Sequence, residues 1–159
     1  MSVFKSQFSR ALPIITGPDA VIPSPYVLVS GVTTDYDSNF IIDDTKDFST
    51  LGIGIGDVVY NTSDGLAATV IGIKIGSLVL NANIFASSGL NYIVYQQSPQ
   101  TGFGNGGCNI WVDASTNLTV ITLGQDEVTF LNVPGGSILP VQVIQVIEST
   151  AAENLIALW

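Results

Sequence analysis

The sequence predicts an all-β chain: two small β-sandwich or barrel-like modules behind an extended N-terminal arm. Three observations carry that expectation. From Tyr26 onward, short runs of Val, Ile, Thr and aromatic residues are punctuated by Gly, Asn, Asp and Ser at intervals of roughly eight to twelve residues, the texture of antiparallel sandwiches and barrels. No segment carries a convincing helical period. Pro13, Pro18, Pro23 and Pro25 crowd into residues 1–25, where fixed φ and missing donors favour extended chain lying against something else.

In chain order, residues 1–25 form the arm, with Val3, Phe4, Phe8, Leu12, Ile14 and Ile15 scattered through it. It either straps its own domain or docks on a neighbouring subunit. The first module, 26–97, contains candidate strands at Tyr26–Thr33, Phe40–Asp43, Asp57–Asn61, Ala67–Ile73, Ser77–Leu80 and Tyr92–Gln96. Between the third and fourth lies Thr62-Ser63-Asp64-Gly65, whose Asp-Gly pair supplies the φ > 0 position of a tight hairpin. Residues 98–107 are a Gly-rich linker or loop within the composition break Gln96–Gly107. The second module, 108–159, contains Cys108–Val112, Leu118–Leu123, Glu127–Val133, Ile138–Ile147 and Asn154–Leu158. Each module is small enough to be marginal alone, so each should lean on the other or on an oligomer. The apolar ending Leu155-Ile156-Ala157-Leu158-Trp159 implies pairing within a sheet or at a subunit contact, because termini are ordinarily polar and frayed.

Composition narrows the function. Of 159 residues 47% are hydrophobic and 11% charged, against roughly 25% charged in ordinary soluble domains, so the chain folds and its surface is built from uncharged polar residues. There is no His, and Cys108 is the lone cysteine, which removes histidine acid/base chemistry, His or multi-Cys metal sites and an internal disulfide. Thirteen acidic against four basic residues give a net charge of −9. That sign disfavours a phosphate backbone or an anionic lipid surface as partner. The apolar stretch after Lys5 and Arg10 is short and broken by Pro13, unlike a signal or membrane span, so synthesis in the cytoplasm is expected.

Motifs that resemble chemistry fail on inspection. Asp35-Tyr36-Asp37-Ser38-Asn39 has the opening spacing of an EF-hand loop, but Phe40 stands where Gly is needed and Lys46 where a bidentate Glu is needed. A polar turn is the better reading, with weak Ca2+ binding by the Asp35–Asp47 region as a minor hypothesis; Asp44 is placed to cap the turn before Phe48. Gly102–Gly107 lacks the following helix of a phosphate-binding loop, and Gly52–Gly56 reads as a bend before a strand. Asp126 and Glu127, adjacent on a strand, point to opposite faces and cannot flank one glycosidic bond. Trp111 and Trp159 read as core or interface anchors before sugar platforms. No catalytic residue, cofactor or metal is expected.

The stretch Asp47-Phe48, Gly56–Asn61, Asp64-Gly65, Ala68–Val70, Leu78–Leu80, Phe85 and Tyr92 resembles a small β module of tailed-bacteriophage structural proteins. Val128–Val141, then Ser149–Ala152 and Ile156–Trp159, are similar to the ends of phage head decoration, or cement, proteins and of the head spike base proteins of gene-transfer agents. The resemblance implies a non-enzymatic virion protein on the capsid exterior, held by the major capsid protein and by copies of itself. A trimer is preferred over a pentamer, and a fibre or spike protein is a further possible partner. The expected capsid or inter-subunit contacts are Phe4, Lys5, Phe8, Arg10, Leu12, Ile14, Leu158 and Trp159. Two rivals stand beside it: a tail or baseplate module recognising a host glycan through an aromatic platform near Trp111 or the 98–107 loop, and a small polysaccharide hydrolase.

Overall fold

The computed structural model describes residues 8–97, 107–149 and 154–159. Among them the chain forms two antiparallel six-stranded sheets, one of which curls into a half-barrel, and no α-helix. The first sheet contains β2 (Val27–Val32), β3 (Phe40–Ile42), β4 (Val58–Asn61), β5 (Leu66–Lys74), β6 (Ser77–Leu80) and β7 (Asn91–Tyr95), ordered β2-β7-β4-β5-β6-β3. The second contains β1 (Ala11–Pro13), β8 (Cys108–Val112), β9 (Thr116–Thr122), β10 (Glu127–Val133), β11 (Ser137–Ser149) and β12 (Leu155–Leu158), ordered β1-β12-β8-β11-β9-β10.

Period-two alternation decides what each strand buries. On β8 Cys108, Ile110 and Val112 point into the core of the second sheet, where Leu118, Val120, Leu139, Val143, Val146 and Leu155 meet them. On the first sheet Val59, Ala68, Val70, Leu78, Leu80, Tyr92 and Val94 close around Ile41, Phe48 and Phe85. Each buried Val, Leu, Ile or Phe among them contributes about 1.5–3 kcal/mol through removal from water, which makes these two stripes the main source of stability. The β4–β5 hairpin turns at Gly65, φ 69. Asn61 fixes that turn: its side-chain oxygen accepts from the Ser63 and Asp64 amides, while its nitrogen donates to Asp64 and to the Ile84 carbonyl.

All of β4 is buried, so this strand is covered on both faces. The second cover comes from the arm. β1 pairs with β12 (Leu12 against Ala157), Ile14 donates to Leu155, Gly17 to Val146, Ile22 to Ile144, and Ser24 to Gln96. Residues 8–25 therefore strap their own chain, crossing from the second sheet to the first. Proline-rich extended chain is suited to this route because its missing donors are not needed there.

Candidate interaction surface

Leu12, Ala20, Val58, Tyr60 and Tyr95 form a third buried cluster between the sheets, with Ile15, Val21, Ala67, Ile93 and Trp159 against it. Tyr60 and Tyr95 meet edge to face at 5.1 Å, the arrangement ring quadrupoles favour. Burial pushes the Tyr60 hydroxyl well above its usual range, a hydrogen bond with the Ile15 backbone opposing part of that shift. Trp159 touches both this seam and the core of the second sheet. Its amide donates to the Arg10 carbonyl at 3.0 Å and its carbonyl accepts from Ser9 at 2.6 Å.

The expected contact residues thus divide. Leu12 is buried in the seam, Ile14 packs on the core of the second sheet, and Leu158 and Trp159 are half-buried at the end of β12. All four are engaged within their own chain. Phe8 is half-buried and Arg10 is exposed, its guanidinium 4.1 Å above the Tyr26 ring; a desolvated cation over a ring contributes about 2 kcal/mol, an exposed one about half of that or less. Phe4 and Lys5 lie outside the described residues, as do Gly102–Gly106 and most of the turn after Ser149.

Several large apolar side chains face outward. Val27, Val32, Ile55, Ile71, Ile75 and Leu131 are exposed, Ile75 at 78% and Leu131 at 69%. Val27, Val32 and Leu131 lie on the edge strands β2 and β10, Ile71 on the interior strand β5, and Ile55 and Ile75 in turns. A polar cleft of about 430 Å3 opens at the far end of the second sheet, lined by Ser115, Thr116, Asn117, Asn132 and Pro134. Trp111 lies elsewhere on that sheet, opposite Ile138 and Ile156.

The acidic region is a fold element. Asp35 and Asp37 accept from the amides of Tyr36 and Ser38, and Phe40 closes a turn onto Asp37. Among the described residues no group of three or more His, Cys, Asp or Glu could hold a metal ion. The cap before Phe48 is Asp47, whose carboxylate accepts from the Ser49 amide, in place of the expected Asp44; it sits next to the turn, whereas Asp44 lies against the Thr34 hydroxyl and Gly76. Sequence reasoning missed Asp43. It is buried and accepts from the Tyr92 hydroxyl at 2.6 Å and from Thr45, with Lys46 at 3.9 Å. Burial raises its pKa, but the Thr45 and Tyr92 hydrogen bonds and the Lys46 charge outweigh that and hold it below the ordinary 3.8. Cys108 is buried, its thiol pushed up to about 12 by desolvation, which suits an apolar filler. Comparison of the chain with models of protein families, with curated proteins and with solved structures finds no match in any of the three.

Proposed function

We propose that the chain is a non-enzymatic virion structural protein that binds the outside of a phage capsid, as a cement or decoration protein or as the base of a vertex spike. In this role it stabilises the shell through contacts with the major capsid protein and with its own copies, and a fibre or spike protein can sit on it. The observation that carries the reading is the set of large apolar side chains left outward on a charge-poor β body, Ile55, Ile71, Ile75 and Leu131 among them. Contiguous apolar patches mark contact sites, and these side chains supply apolar area that contact with the shell would bury. The similarity of Val128–Val141 and Ile156–Trp159 to decoration and spike base proteins supplies the class of partner.

The test is co-sedimentation of the purified chain with capsids that lack it, alongside mass spectrometry of purified particles. Binding that saturates at a fixed ratio to capsid protein is expected; absence from purified particles together with no binding would sink the role. Because residues 8–25 belong to the folded body, removal of residues 1–7, with Phe4 and Lys5, is the truncation that isolates an arm contact, and it is expected to weaken capsid binding. The polar cleft at Ser115–Asn117 and Asn132 favours a second reading, a glycan-binding tail or baseplate module. That reading predicts binding on a glycan array that Asn132→Ala abolishes.

A further inference from the structure

An aspartate can be modified by its own chain. The amide nitrogen of the following residue attacks the side-chain Cγ; an N–Cγ bond forms, the nitrogen gives up its proton, and one carboxyl oxygen leaves as water. Water then opens the cyclic imide, and opening at the backbone carbonyl leaves isoaspartate, with an extra methylene in the main chain and an unchanged mass. The step needs the nitrogen close to Cγ and free of other partners, and a following residue without a side chain hinders it least. By sequence the first candidate is Asp64-Gly65. Both residues are exposed, and the space where a Gly65 side chain would stand is open. Hydrogen bonding nevertheless holds the pair apart. The Gly65 nitrogen donates to the Asn61 carbonyl at 2.9 Å, and the Asp64 carboxylate accepts from the Asn61 side-chain nitrogen at 2.8 Å. Asn61 is fully buried, and the same nitrogen donates to the Ile84 carbonyl at 2.7 Å. Both reacting groups are thus bonded to an anchored third residue rather than to each other.

Asp37-Ser38 is arranged the other way. Both residues are exposed, and the Ser38 nitrogen donates to the carboxylate of Asp37 itself at 2.7 Å. That bond places Cγ, one covalent bond beyond the acceptor, within reach of the nitrogen, and the last torsion of an aspartate side chain turns in a broad well. Among the described residues no third residue bonds to the Ser38 nitrogen or to the Asp37 carboxylate. Asp35-Tyr36 has the same internal bond at 2.8 Å, but a ring-bearing residue follows, and Asp35 is bridged to Ile42. We propose that Asp37 is the isomerisation site of the folded chain, and that Asn61 is a positioning residue which keeps Asp64-Gly65 inert. The consequence falls on β3. The Phe40 amide closes its turn on the Asp37 carbonyl, with Asn39 at φ 63 between them, so a main chain lengthened at Asp37 disturbs the turn from which this edge strand starts.

The test ages the full chain at pH 6, once native and once unfolded in guanidinium chloride. Peptide mapping with electron-transfer fragmentation then assigns isoaspartate site by site; asparagine deamidation adds mass and is counted apart. The native chain should gain isoaspartate at Asp37 first. The unfolded chain should gain it at Asp64 first, because without the hold of Asn61 the glycine nitrogen is the less hindered of the two. Native Asp64 should react at least about tenfold more slowly than unfolded Asp64, since two hydrogen bonds must open before attack. Ser38→Val, which crowds the attacking nitrogen, should remove the native product at Asp37 and leave Asp64 unchanged. Asn61→Ala, checked for folding by circular dichroism, should raise the native rate at Asp64. A native chain that reacts first at Asp64, one that forms no isoaspartate at Asp37, the same order of sites in native and unfolded chain, or an Asp37 product that survives Ser38→Val would each overturn the proposal. The wild-type comparison decides it even where Asn61→Ala does not fold.

Discussion

Asp43 is a carboxylate the surrounding chain cannot leave unpartnered, since a buried charge without its hydrogen bonds costs several kcal/mol. Tyr92→Phe removes the 2.6 Å bond and is expected to lower unfolding stability by about 1–3 kcal/mol in urea titration at pH 7. The sign with pH follows from the depressed folded pKa: the Asp43 contribution is complete above 3.8 and is lost as pH falls through the lower folded value. Losing the Tyr92 donor brings the folded pKa back towards 3.8, so the stability difference between pH 7 and pH 3 should be smaller in the variant than in wild type. Gly31→Ala should destabilise by a similar amount, about 1–3 kcal/mol, because its new Cβ would lie 2.7 Å from both the Asp43 carboxylate and the Tyr92 hydroxyl. At Cys108 the raised thiol predicts that a disulfide reagent at pH 8 labels unfolded chain rapidly and native chain only through unfolding. None of the Asp43 arrangement was legible in the sequence: it depends on Tyr92, far along the chain and delivered by another strand, and nothing in the local spacing encodes that meeting.

At the scale of elements the sequence spoke clearly wherever one face of a strand is buried. Ser77–Leu80, Cys108–Val112 and Glu127–Val133 have the bounds expected from alternation and turn residues, and Gly65 marks the hairpin as its φ > 0 requires. β1 was not legible, because three residues ending in Pro13 give no period; its strand character comes entirely from the ladder that β12 offers. The arm's choice between its own chain and a neighbour was open for the same reason. Leu12→Ala is expected to cost about 2–4 kcal/mol in denaturant midpoints, as for other buried leucines, since Leu12 fills the seam beside Val58, Tyr60 and Tyr95. Arg10→Ala, which removes only an exposed cation over Tyr26, should cost less than about 1 kcal/mol.

For the whole molecule, charge sets the conditions of contact. A net charge of −9 and an isoelectric point near 4.1 mean that copies repel at neutral pH and that added salt screens the repulsion over about 10 Å at 0.1 M. Self-association should therefore tighten between about 20 and 500 mM salt, as read by light scattering, whereas attraction between opposite charges would weaken. The all-β class and the acidic, charge-poor surface were legible because they are sums over the chain; which apolar side chains stay outward was not, because that depends on how two curved sheets and a strap cover one another. The strap has one more consequence, for the order of folding. β1 and β12 are direct neighbours although they are far apart in sequence, so their ladder closes a long loop among the described residues, and contacts of that sequence separation are the slow ones. The β1–β12 ladder is then expected among the last contacts to become protected as the chain refolds, as read by pulsed hydrogen exchange.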